Sequence, residues 1–190
     1  MRIIAGLYRG RKIKTLPGQE LRPTPERLRE TLFDVLGPSV EGSSFVDAYA
    51  GTGAVGIEAL SRGARWVSFI EESSAAIRIL KENLHSLGIH GSVDVVHAPV
   101  RRGLQLLEAR GIRAGFCFLD PPYAAHGEYE ASLRWLSRGE LMLAEGLIVM
   151  QHGKKEELQD ASGRLTRVRL LTQGSNALSF YRIAAEDPLQ

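Results

Sequence analysis

Between residues 44 and 151, short apolar runs alternate with stretches in which apolar residues recur every three or four positions. Runs rich in Val, Ile and Phe without polar alternation are what strands covered on both faces look like, and the three-to-four spacing marks amphipathic helices. Strands are predicted over 44–49, 66–71, 92–97, 115–120 and 146–151, with helices over 54–61, 73–87, 100–110 and 128–137 between them. Gly63 and Gly88 stand where two of these helices should end in a left-handed cap. Such alternation builds a parallel sheet clothed by helices. Near the end of the chain, RLTRVRLLTQ and ALSFYRI flank Gly174-Ser175-Asn176 and predict two strands joined by a turn, an antiparallel edge. The sum is one mostly parallel α/β domain of seven strands.

Ahead of this core, RIIAGLYRGRKIKT alternates apolar and polar residues on both sides of Arg9-Gly10, which predicts a β-hairpin. After the turn-rich LPGQELRP, Thr24 is placed to cap a helix with Pro25 at its first position. Leu28, Leu32, Val35 and Leu36 form its apolar stripe before Gly37-Pro38 stops it. With no repeat or linker in sight, residues 1–20 read as an extension and 21–190 as the core of a single domain.

Charge changes this picture. The whole chain carries 24 basic and 22 acidic residues, but residues 1–30 alone hold eight basic side chains against three acids. A basic appendage on a neutral body fits a phosphate backbone, whereas a dispersed charge pattern would be only a solvated face. Arg2, Arg9, Arg11, Lys12, Lys14, Arg22 and Arg27 are therefore candidate contacts to a nucleic-acid backbone. No apolar run approaches the roughly 18 residues of a membrane span, and no signal peptide is visible. The lone Cys117 cannot pair within the chain, and it sits mid-strand as core filling. We expect a cytoplasmic, unprocessed monomer that holds no metal.

The first core strand ends in DAYAGTGAVG, which puts Gly51, Gly53 and Gly56 in G-x-G-x-x-G spacing at a strand-to-helix turn. Alone the pattern fits a dinucleotide, S-adenosylmethionine, or close helix packing with no ligand at all. Asp47, four residues ahead of Gly51, places a carboxylate where a pyrophosphate would have to lie, and it favours a cation instead. S-adenosylmethionine carries a sulfonium and an ammonium and has no phosphate. Glu71 closes the second strand and can accept hydrogen bonds from ribose hydroxyls, as either kind of cofactor requires.

The fourth strand ends in Asp120-Pro121-Pro122-Tyr123. An exocyclic ring amine is a poor nucleophile because its lone pair is delocalised. The Asp120 carboxylate and the Pro121 carbonyl can accept its two hydrogens, pyramidalise the nitrogen and aim the lone pair. Pro122 stiffens the loop and Tyr123 offers a face on which the base can stack. The plain alternative is a proline-rich turn. A base taken into such a pocket must be unpaired or flipped.

The segments RIIAGLYRGRKI, LRPTPERLRETLFDVL, DAYAGTGAVGIEALSRGA, FIEES and FLDPPY together resemble the RsmD family of bacterial methyltransferases, which modify guanine N2 in 16S ribosomal RNA. The resemblance implies a Rossmann-like, seven-stranded fold. It also implies S-adenosylmethionine held by Asp47, Tyr49, Ala50, Gly51, Thr52, Gly53 and Glu71, with Glu72, Ala98 and Thr24 bordering it. The amine would be held at Asp120, Pro121, Pro122 and Tyr123, and the substrate would be ribosomal RNA in an assembling or assembled small subunit. Two positions depart from the pattern. His97-Ala98-Pro99 stands where an adenine-reading polar residue usually lies, and the fifth strand ends in Met150-Gln151-His152 without an acid, so no catalytic role is assigned there. Competing readings are an adenine-N6 methyltransferase, an NAD-linked oxidoreductase and a non-catalytic RNA-binding module.

Overall fold

The computed structural model describes residues 1–16, 26–122 and 126–184. Its elements are α1 (Glu26–Leu36), a single 3-10 turn at Gly37–Val40, β1 (Ser44–Asp47), α2 (Ala54–Ser61), β2 (Trp66–Glu71), α3 (Ser74–Ser86), β3 (Val93–His97), α4 (Val100–Ala109), β4 (Ala114–Leu119), α5 (His126–Leu136), β5 (Met142–Gly153), β6 (Ala161–Ser162), β7 (Leu165–Gln173) and β8 (Asn176–Ile183). The strands form one sheet in the order β3-β2-β1-β4-β5-β8-β7-β6. The first five are parallel, and β8, β7 and β6 join antiparallel.

The two sheet faces bury separate clusters, and β1 shows why. Phe45 packs with Phe33, Phe69, Phe116 and Phe118 on one face, while Val46 packs with Ile70, Cys117 and Leu119 on the other. Side chains alternate across a strand, so a strand covered on both sides must be apolar throughout. Each fully buried side chain of this kind contributes about 1.5–3 kcal/mol.

One expectation needs correction. Among the described residues the sheet has eight strands, because the two-residue β6 pairs with β7 beyond the predicted edge; Gly163, at φ +58°, turns the chain between them. Two residues are too few to show alternation. The N-terminal arm closes as an antiparallel hairpin: Arg2 and Lys12 form its bridge, Ile3 N–H donates to Arg11 O and Ile13 N–H to Met1 O, both at 3.0 Å, and Gly10 N–H donates to Ile3 O at 2.9 Å. The hairpin docks on α2. The Glu58 carboxylate accepts from the Ile4 and Ala5 N–H groups at 2.8 and 3.0 Å, and Ser61 accepts from Leu7 and Tyr8. The first limb thus binds the second limb through Ile3 and α2 through Ile4, Ala5, Leu7 and Tyr8. Gly6, at φ +80°, lies so close to Ser61 that an added Cβ would stand 1.7 Å from its carbonyl oxygen. Ile3 and Ile13 are buried in the core.

Candidate active site

β1 pairs with β2 on one side and β4 on the other, so the chain reverses its winding direction at β1. In open parallel sheets the crevice at that reversal, outside the carboxyl ends of the strands, is where ligands bind. The two loops singled out in the sequence both leave the sheet there. Asp47 pairs with Phe118 in register, and Asp120 lies two residues further along β4, hence on the same face. Strand spacing and rise put their Cα atoms roughly 8 Å apart.

The glycines of the first loop divide their labour. Gly51, at φ +53°, faces open space, so its backbone is accessible from the crevice. Gly53, at φ +88°, and Gly56 are packing residues. A Cβ on Gly53 would meet Leu80 Cδ1 at 2.3 Å, and one on Gly56 would meet the Phe69 ring at the same distance. The loop straddles the sheet: Ala48 N–H donates to Phe118 O and Ala50 N–H to Ile70 O, both at 2.9 Å.

Acid groups ring the loop. Asp47 Oδ2 accepts from Gly56 N–H at 2.8 Å. Burial pushes the Asp47 carboxyl up to about 7, against the pull of that N–H, and the neighbouring Glu71 charge adds to the rise. Glu71 Oε2 accepts from Gly51 N–H at 2.8 Å, and Oε1 from Ser73 N–H at 2.7 Å. A carboxylate has about four lone-pair sites, so both oxygens can still accept from ribose hydroxyls. Glu72 is exposed beside them. On the next strand Ala98 N–H is held by Glu71 O at 3.1 Å, and His97 Nε2 lies 3.0 Å from Glu72 O. Tyr49 Oη donates to Glu128 Oε2 at 3.1 Å, and burial raises its phenol. Three carboxylates and an open glycine backbone suit a ligand with a cation and a ribose, and they disfavour a pyrophosphate.

On β4's side Asp120 is half-buried, Pro121 buried and Pro122 exposed. Tyr123, Thr24 and Arg22 lie outside the described residues. Among the basic candidates, Arg2 pairs with Glu26 at 3.2 Å and Lys14 with Glu82 at 2.8 Å, and Arg11 donates to Ser86 O at 2.7 Å. Arg9, Lys12 and Arg27 are exposed. His152, set aside as a base in the sequence, is buried: Nδ1 donates to Gly153 O and Nε2 accepts from Ser179 Oγ at 2.9 Å.

One residue that ties the site together escaped the sequence reading. Asn83, 1% exposed on α3, accepts from Lys14 N–H at 2.8 Å and donates to Lys14 O at 3.0 Å and to Thr52 O at 2.9 Å. It fastens the basic arm to the glycine loop. Its signal was a polar residue on the apolar stripe of Ala76, Leu80 and Leu84. Glu58 gave a similar signal in the apolar helix AVGIEALS; fully buried, it pairs with Arg62 at 2.9 Å and Arg29 at 3.6 Å.

Fold and site together define the class: an S-adenosylmethionine-dependent methyltransferase of Rossmann-like architecture. The chain belongs to the family described as Conserved hypothetical protein 95, the RsmD family, whose model matches residues 1–182. It is 32% identical over 186 residues to ribosomal RNA small subunit methyltransferase D of Escherichia coli K12, covering 98% of this chain and 91% of that one. The same enzyme of Haemophilus influenzae is 41% identical over 125 residues, 65% of this chain and 64% of the relative. Among solved structures, yhhF of Escherichia coli, described as a methyltransferase candidate, superposes with a TM-score of 0.84 at 33% identity, covering 98% of this chain and 99% of that chain. A protein of Thermus thermophilus gives 0.76 at 34% identity, covering 97% and 99%.

Proposed function

We propose that this protein methylates the exocyclic N2 amine of a guanine in 16S ribosomal RNA. The observation that carries the reading is the placement of Asp47 and Asp120 on one sheet face at the reversal of strand order, with the basic arm fastened to the same loop by Asn83. The names of the relatives supply the substrate class.

S-adenosylmethionine would supply the methyl group. Gly51, Asp47 and Glu71 are the residues that would hold it: open backbone, a carboxylate for the ammonium, and a carboxylate for the ribose. Asp120 and the Pro121 carbonyl would accept the two amine hydrogens and direct the nitrogen lone pair toward the methyl carbon. The nitrogen–carbon bond would form as the methyl carbon–sulfur bond breaks, its electron pair leaving on the neutral thioether S-adenosylhomocysteine, and the cationic nitrogen would lose its surplus proton to Asp120 or to water. No separate general base is needed, which agrees with the closed hydrogen bonding of His152. Tyr123 would stack on the base, with Arg9, Lys12 and Arg27 on flanking phosphates. The whole chain would act as one catalytic domain, as a monomer in the cytoplasm, on an assembling or assembled subunit.

The test is tritiated-methyl transfer to small subunits that lack the modification. The wild type labels the RNA, while Asp120→Ala loses turnover and keeps cofactor affinity. An active Asp120→Ala variant overturns the amine-positioning role.

A further inference from the structure

Beside Asp120 lies a buried amide whose oxygen meets no partner among the described residues. β4 and β5 pair as far as Leu119 and Met150, so Gln151 is the position next to Asp120 across the strands. It follows Val149 by two, and therefore shares the sheet face of Val149, Phe118 and Phe45. Gln151 and Asp120 are thus neighbours across β5 and β4, and Asp47 lies on the same face two residues back on β1. The Gln151 side chain is 3% exposed and its Oε1 has no hydrogen-bond partner among the described residues.

A buried amide oxygen left unpaired is destabilising, and native structures keep few of them without a reason. Among the described residues two other buried side-chain atoms share this condition, and neither lies at the crevice. Arg29 Nε sits 3.6 Å from the Glu58 carboxylate, and Ser68 Oγ is in the middle of β2. His152, the next residue, satisfies both ring nitrogens within the protein. Of the three, Gln151 alone presents an unmet acceptor at the strand ends where the base must sit.

We infer that Gln151 is a specificity-determining residue that reads the Watson–Crick edge of the target guanine, its Oε1 accepting the N1–H. This rests on the guanine-N2 reading above and deepens it. On guanine, N1–H is the neighbour of the N2 amine. The glycine loop occupies the β1 side of β4, so a base whose N2 is held at Asp120 enters from the β5 side and turns N1 toward Gln151. The amide NH2 then lies near O6, an acceptor, so one side chain matches two adjacent groups of guanine. Adenine reverses the pair, with an acceptor at N1 and a donor at N6, and it carries no 2-amine for Asp120 to hold.

The probe is 2-aminopurine, which keeps the exocyclic 2-amine and lacks both the N1–H and O6. Methyl transfer is compared on an RNA bearing guanine or 2-aminopurine at the mapped target, with wild type and with Gln151→Met, a substitution of similar length. The wild type is expected to favour guanine by about 10- to 100-fold in kcat/KM, the effect of leaving a buried polar group unpaired. Gln151→Met loses that factor on guanine and little on 2-aminopurine, so the ratio collapses while cofactor affinity holds. A purely structural role would lower both substrates together, and an unchanged ratio overturns the inference. A wild-type preference under about threefold overturns it without any variant. If the wild type labels no guanine in ribosomal RNA, the function reading falls and this inference with it. If it does and the ratio does not move, only the role of Gln151 fails.

Discussion

Asp47→Asn separates the stability of the empty protein from its affinity for the cofactor. The Asp47 carboxyl is buried, 1% exposed, and pushed up to about 7. An ordinary aspartate titrates near 4, so the folded state holds this proton more tightly than the unfolded chain does. The associated stability is fully present below about pH 4 and is lost as pH rises through 7. At about 1.4 kcal/mol per pH unit, the ionised side chain costs the empty protein up to roughly 4 kcal/mol at pH 8. Asparagine keeps an oxygen for the Gly56 N–H and carries no charge. Urea unfolding without ligand should therefore show the variant more stable than wild type by about 2–4 kcal/mol at pH 8, with the gap closing toward pH 4. Calorimetry should show the opposite for S-adenosylmethionine. The variant binds at least about tenfold more weakly for want of a charge-assisted hydrogen bond to the ammonium, and wild-type affinity climbs with pH up to about 7. A pH-independent stability gap, or a variant that binds the cofactor as well as wild type, would refute the role given to this carboxylate.

The arm and the loop give two further tests. Gly6→Ala puts a methyl carbon onto the Ser61 carbonyl and should lift the arm from α2; RNA affinity and the steepness of its salt dependence both fall while cofactor affinity stays. An unaltered salt slope would reassign the arm to folding. Asn83→Ala leaves the Lys14 N–H and the carbonyls of Lys14 and Thr52 without their partner, a loss of about 2–4 kcal/mol in urea unfolding. Because Thr52 belongs to the glycine loop, cofactor affinity should also weaken, and an unchanged affinity would show that the loop stands without the tether.

What the sequence disclosed follows from where its interactions close. β2 and α2 match their predicted spans of 66–71 and 54–61, because burial on both faces and helical spacing are local patterns. The glycine loop and the Asp120 loop were legible for the same reason: each is a few contiguous residues at a strand end. The hairpin of the arm was legible, but its docking was not, since the donors of Ile4 and Ala5 reach Glu58, 54 and 53 residues away. β5 runs from Met142, four residues before its predicted start, because the register slips between Ala114 and Phe116 at a point no alternation announces. Gln151 looked like an ordinary strand end until the sheet order placed it beside Asp120. Asn83 shows the converse: a polar residue on an apolar stripe marks a buried connection and leaves its partner unnamed.

The central claim is that the strand ends hold a methyl donor in line with a guanine 2-amine. Small subunits lacking the modification would be incubated with the enzyme and tritiated donor, and the RNA digested to nucleosides and resolved by mass. The account predicts label in N2-methylguanosine alone. Label in N6-methyladenosine, or none in the RNA, would contradict it.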